Sequence, residues 1–214
     1  MKKKLLSILL VLSLMLALVP AAFAADVVDS GTCGSGVAWA LDNDGTLTIT
    51  GSGQIRDYSK TAPAPWKGTA VKELVIGEGV TAIGAYAFAD CTEITSVQLP
   101  STLTTLNGLA ISNMPGVTEL DLRGTGIKDI EINNSTSSDR FKLSADDVVE
   151  GSLTLNGLFE LTGMKEVKGD VTISMPNTTE TVDLLSNTEA VRGNFTLTYN
   201  ATTGGINLPV LASV

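Results

Sequence analysis

The chain contains no histidine, which excludes a Ser-His-Asp or Cys-His nucleophilic site and the usual His-bearing zinc site on composition alone. Carboxylates and two cysteines remain as the residues able to do chemistry. With 23 Asp and Glu, a pair of acids arranged for glycoside cleavage stays open, because the separation that reaction needs is spatial rather than sequential. Asp146 and Asp147 stand side by side before Val148. On a strand they would point to opposite faces, so a loop or a helix cap is their expected setting. Asp42-Asn43-Asp44-Gly45 has the opening of a calcium loop, but Gly53 stands where an EF-hand places its bidentate Glu. A turn between two strands is the simpler reading. The glycines punctuate strands and lack the lysine of a phosphate-binding loop. Nothing in the sequence asks for a cofactor or a metal.

The element that must position any site is a repeat in Val71 to Leu122. A shift of 23 positions pairs Val71 with Ile94, Leu74 with Val97, Ile76 with Leu99, Val80 with Leu103 and Ile83 with Leu106. The register continues through Ala87 with Ala110, Phe88 with Ile111 and Cys91 with Met114, and Val117, Leu120 and Leu122 open a third copy. A period of this length marks a solenoid, whose units bury their apolar sides only by stacking on one another. Cys33 and Cys91 are disulfide candidates in an exported protein. The repeat favours another role for Cys91, since a thiol that trades places with a methionine is most simply a small buried hydrophobe.

Lys2, Lys3 and Lys4, the apolar run Leu5 to Val19 and Ala22-Phe23-Ala24 form a secretory signal peptide with a small-x-small cleavage site. Its removal takes away three lysines and no acid, so the formal charge moves from −9 to −12. So acidic a surface argues against nucleic acid and anionic lipid as partners, and no membrane insertion is expected once the leader is gone. About 190 mature residues rich in Thr, Gly, Val, Leu and Ile suit one elongated core of strands and tight turns.

Val37, Trp39 and Leu41 fall on one face of a strand, Asp42 to Gly45 supply a turn, and Leu47 and Ile49 alternate with Thr46, Thr48 and Thr50. This is a hairpin pattern, expected to cap the first rung of the solenoid. Gly51 to Ala70 reads as a loop in which Trp66, beside Pro63 and Pro65, pins the segment onto the core. Gly31-Thr32-Cys33-Gly34, Trp39-Ala40-Leu41, Pro65-Trp66, Gly79-Val80-Thr81-Ala82-Ile83-Gly84, Ala87-Phe88-Ala89-Asp90-Cys91 and Leu99-Pro100 together resemble the BspA-like (Treponema pallidum-type) leucine-rich-repeat proteins. That resemblance covers roughly Gly31 to Leu106. It implies a secreted or surface-displayed bacterial protein acting in adhesion or protein binding rather than catalysis.

Beyond Leu106 the pattern loosens. Ile130 and Ile132 follow Leu122 too soon for a full parallel crossover, so they are expected to form a back strand of the same coil. Asn133 to Asp139 is polar and reads as a break or inserted loop. Then Gly151-Ser152-Leu153-Thr154-Leu155, Gly169-Asp170-Val171-Thr172-Ile173 and Gly193-Asn194-Phe195-Thr196-Leu197 recur at intervals of 18 and 24. This half resembles, more weakly, receptor L-domain-like β-solenoids. The expected fold is therefore mainly β, a leucine-rich-repeat or right-handed β-solenoid with an N-terminal β-hairpin cap. Its parts are a leader at 1–24, a β cap and loop at 25–70, leucine-rich repeats at 71–132 and an irregular solenoid continuation at 133–214.

If Leu74 and Ile76 point inward, alternation turns Glu73 and Val75 outward, and the repeat places Ser96, Gln98, Glu119, Asp121 and Arg123 with them. These residues are the candidate partner-binding strip, and Thr154, Thr172 and Thr196 are its expected continuation. The partner so implied is a protein or a glycan, host-derived if the bacterium lives on a host. The apolar ending Ile206 to Leu211 leaves self-association through the C-terminal rung as a further mode. Two alternatives stand beside adhesion: a β-helical polysaccharide-active enzyme, and a purely structural segment of a larger surface protein.

Overall fold

A computed structural model of the chain describes residues 26–134, 141–178, 182–183, 185–201 and 206–207. Residues 1–25, where the leader is expected, the polar residues 135–140 and the apolar ending after Asn207 fall outside them. Three antiparallel strands open the fold: β1 (Val27–Gly34), β2 (Val37–Asp42) and β3 (Thr46–Gly51). The turn between β2 and β3 is closed by Asp42, whose Oδ1 accepts from the amides of Asp44 at 3.0 Å and Thr46 at 2.8 Å. That carboxylate serves the turn, as its sequence setting predicts.

The hairpin continues the solenoid's own sheet. β3 pairs in parallel with β5 (Glu73–Ile76), and β5 with β7 (Ser96–Gln98), giving one sheet in the order β1-β2-β3-β5-β7. We call this side the front. A second side is made by β4 (Gly53–Ile55), β6 (Val80–Ile83) and β8 (Thr105–Leu106), also parallel. The third side begins without strands. There Phe88 N–H donates to Ala110 O at 2.8 Å and Asp90 N–H to Ser112 O at 3.0 Å, so one turn stacks on the next. Asp90 and Asn113, 23 positions apart, both have left-handed backbones with φ of 61° and 55°, which Asp and Asn tolerate better than most residues.

The next coil changes style. Its front strand is β9 (Glu119–Asp121), and β10 (Ile130–Asn133) replaces the turns of the third side with a strand, as the early return of Ile130 and Ile132 predicts. After that each coil carries three strands: β11 (Phe141–Ser144), β12 (Val148–Val149) and β13 (Leu153–Asn156), then β14 (Phe159–Thr162), β15 (Glu166–Val167) and β16 (Val171–Thr178). β17 (Val182–Asp183), β18 (Ala190–Val191), β19 (Phe195–Ala201) and β20 (Ile206–Asn207) follow. Parallel ladders join β9-β11-β14 on the front, β12-β15-β18 on the second side and β10-β13-β16-β19 on the third. No helix occurs among the described residues.

The glycine of the recurrent motif now has a cause. Gly169 sits on Gly151, and Gly193 on Gly169, so closely that an added Cβ would stand 2.6 Å from the carbonyl carbon below in both cases. The small polar residue that follows builds a ladder: Ser152 N–H donates to Asp129 Oδ1 at 2.8 Å, Asp170 N–H to Ser152 Oγ at 3.3 Å and Asn194 N–H to Asp170 Oδ1 at 2.7 Å. One corner of the coils from Asp129 to Asn194 is thus held by backbone contact and a side-chain acceptor together.

Inward residues of all three sides form one apolar core from Cys33 to Leu185. One place in it is weak. β7 and β9 are consecutive on the front but share no ladder. An apolar seam lined by Val97, Ile111, Met114, Val117, Leu120 and Phe141 lies there. The coils stay joined on the second side, where Gly126 N–H donates to Leu103 O at 2.7 Å.

Cys33 and Cys91 are both free and buried. Burial pushes the Cys33 thiol up to about 12 and that of Cys91 up to about 11, so neither forms the reactive thiolate near neutrality. At pH 8 Ellman's reagent will find no thiol in the native protein and both in guanidinium. A rapid stoichiometric reaction of either one in the native state would contradict this burial.

Candidate functional site

The seven residues singled out from sequence lie on the front side or directly after it, on two ladders rather than one. On the first ladder Glu73 stands opposite Ser96 and Val75 opposite Gln98, and Gln98 Nε2 donates to Glu73 Oε1 at 2.8 Å. Ser96 and Gln98 are exposed, whereas Glu73 and Val75 are half-buried. Glu119 and Asp121 open the second ladder. Arg123 follows it and turns back on Asp121 with a paired contact, Nη2 to Oδ2 at 2.5 Å and Nε to Oδ1 at 2.8 Å. The guanidinium holds the Asp121 carboxyl below the usual carboxylate range. The pair is exposed, so it fixes geometry more than it stabilises the fold.

The second ladder contains residues that sequence reasoning missed. Glu119 pairs in register with Lys142 and Lys142 with Glu160; Asp121 pairs with Ser144 and Ser144 with Thr162. All of Glu119, Lys142 and Glu160 are exposed, so a row alternating in sign crosses three neighbouring strands. The signal was present: Phe141-Lys142-Leu143-Ser144 and Phe159-Glu160-Leu161-Thr162 share one pattern 18 positions apart, the interval between the first two Gly-containing motifs.

Thr154, Thr172 and Thr196 do stack in register, but on the third side. They do not continue the Glu73 strip, and the expectation that they would is corrected here. An apolar-Thr-apolar strand alternates inward and outward in the same way on every side of a coil, so its pattern carries no information about which side it occupies.

Elsewhere the carboxylates serve local structure. Asp146 accepts from Gly124 N–H at 3.1 Å, and Asp147 pairs with Lys165 at 2.6 Å. Both sit in the exposed link between β11 and β12, the loop setting expected for them. Lys168 with Glu150 at 2.8 Å and Arg192 with Glu166 extend such pairs across β12, β15 and β18. Among the described residues no three of His, Cys, Asp and Glu converge as a metal site would require.

Parallel coils of about two dozen residues, an apolar interior and a polar strip on stacked short strands define a leucine-rich-repeat solenoid. Residues 64–146 match the family model of the BspA type leucine-rich repeat region in six copies, and this stretch of the chain is a BspA-type leucine-rich repeat. The match ends at Asp146, before β12, so the three-stranded coils lie largely beyond it. Among solved structures the chain is similar to a leucine-rich repeat protein from Eubacterium ventriosum, with 20% identity and a TM-score of 0.40, over 77% of this chain and 44% of that one. No curated protein matches the chain.

Proposed function

We propose that this is a non-catalytic bacterial leucine-rich-repeat protein, secreted or displayed at the cell surface, that binds a protein or glycan through its front side. The observation that carries this reading is the in-register polar strip: Ser96 and Gln98 on one ladder, Glu119, Lys142 and Glu160 on the next. Neighbouring strands hold these groups at fixed spacing, so a partner meets a preorganised pattern. Charges of alternating sign give selectivity and register more than raw affinity. The BspA-type match supports a bacterial surface protein, and the basic, apolar and small-residue order of Lys2 to Ala24 supports export.

The test is binding of the protein to arrays of extracellular-matrix proteins and glycans. Changing Gln98, Asp121 and Arg123 together to alanine is expected to weaken the interaction at least tenfold, and Lys142→Glu to weaken it similarly by breaking the alternation. Binding that survives both variants unchanged would place the contact on another side.

A further inference from the structure

The N-terminal cap carries a second feature, away from the front strip. A groove of about 560 Å³ is lined by Gly31, Trp39, Arg56, Asp57, Tyr58 and Pro65 among others. Trp39 is 5% exposed as a residue, and the edge that carries Nε1 faces this groove without donating to another described residue. The indole of Trp66, by contrast, donates to Ala87 O at 2.9 Å. The Trp39 N–H is not among the buried unpartnered donors, so it is reachable from the groove rather than sealed in the core. Gly31 keeps this one open to the groove: a Cβ there would stand 2.9 Å from Trp39 Nε1 and cover it.

Arg56 supplies the second unspent group. Its Nε donates to Tyr58 Oη at 3.2 Å, its Nη2 to Thr32 O at 2.9 Å, and its guanidinium lies 5.4 Å from the centre of the Tyr58 ring. No carboxylate of the described residues pairs with it, so the rest of its donor fork remains available. Thr32 follows Gly31 directly. The fixed cation and the open indole N–H are therefore anchored on adjacent residues of β1.

An indole N–H and the unused N–H groups of a guanidinium on the wall of one groove suit an anionic oxygen pair, and a carboxylate matches a guanidinium fork best. Asp57 spends Oδ1 on Ala85 N–H at 2.7 Å, which leaves its other oxygen as an acceptor for a hydroxyl. An extended peptide is disfavoured, because Arg56 already occupies the carbonyls of Thr32 and Cys33 through Nη2 and its own amide, leaving no strand edge there to extend. The volume suits one or two sugar rings. The chain's other acids are a weak obstacle, since charges more than about 8 Å away are largely screened at physiological salt, and the one acid on the groove wall, Asp57, is held by Ala85 N–H. We propose that this groove binds a carboxylated sugar of the uronic-acid class, its carboxylate between Arg56 and Trp39 Nε1 and its ring against Tyr58 and Pro65.

The chain's 2 tryptophans make the test direct, since each gives one indole N–H signal in a nitrogen-edited NMR spectrum. Titrating with α-1,4-linked trigalacturonic acid is expected to move the Trp39 signal and leave that of Trp66 in place. The fully methyl-esterified trisaccharide should move neither. Arg56→Gln should weaken binding at least tenfold with the Trp66 signal unchanged, which shows that the fold is intact. A Trp39 signal that stays still at millimolar acid, or that responds equally to the ester, overturns the proposal. So does an equal or stronger response to acetyl-Gly-Gly, which carries a carboxylate on a peptide. The Gln98, Asp121 and Arg123 triple variant should bind the trisaccharide as the wild type does, so this test and that of the front strip fail independently.

Discussion

Replacing Trp66 by alanine will destabilise the protein by about 3–5 kcal/mol, the range for removing a fully buried large aromatic side chain. Trp66 is 0% exposed and is the hub of an aromatic cluster. It stacks on Phe88 at 5.4 Å and meets Trp39 and Tyr58 edge-on at 5.6 and 5.7 Å. Its Nε1 satisfies Ala87 O on the third side, so one residue ties the cap, the long loop and the first stacked turn together. Alanine removes the ring contacts and the donor together and leaves a cavity between three elements. Urea unfolding followed by far-UV circular dichroism measures the loss. Trp66→Phe should fall between, because it keeps an aromatic ring near Phe88 and forfeits only the donor and the second ring. An alanine variant within 1 kcal/mol of wild type would show that the loop, not this side chain, holds the cap.

That role was legible in the sequence, and the reason is instructive. A large aromatic just after two prolines in a polar loop has few uses other than anchoring, whatever the fold. The inward positions of Val71 to Leu122 were legible for a similar reason: burial alternates with a fixed period, and a coil that stacks on its copy must repeat it. Other features depend on what the chain does across coils. β1 lacks a clean alternation, with Val27 and Val28 exposed at the sheet edge. Lys142 escaped notice because its strand follows a polar stretch that hides the phase of the repeat. The groove joins Gly31, Trp39 and Arg56, whose proximity comes from β1 folding back on β2 and meeting the residue after β4. The alternation around Trp39 predicts burial correctly and says nothing of its unpaired Nε1.

Phe159→Ala provides the second large effect, and its distribution matters more than its size. Phe159 is 1% exposed and packs edge-on against Phe141 at 5.8 Å, so truncation should again cost about 3–5 kcal/mol. In a solenoid each coil feels chiefly its neighbours, so the loss spreads only as far as coil-to-coil coupling carries it. Toward the N terminus that coupling must cross the seam between β7 and β9. There the front ladder is missing, and the bond from Gly126 N–H to Leu103 O on the second side joins the coils with apolar contacts. Native-state hydrogen exchange should therefore show protection lost in β11, β13, β14 and β16 and kept in β3, β5 and β6. Trp66→Ala should produce the mirror image, with the N-terminal ladders opening first. Equal loss across all ladders in both variants would mean that the apolar packing at Val97, Leu120 and Phe141 couples the halves as strongly as a continuous sheet. The seam would then be a local irregularity with no thermodynamic weight. If protection divides at the seam, the front strip straddles a hinge in stability, with Gln98 and Lys142 on coils that can open separately. A partner touching both ladders would then stabilise the junction it binds, and the break in protection should fade when that partner is added.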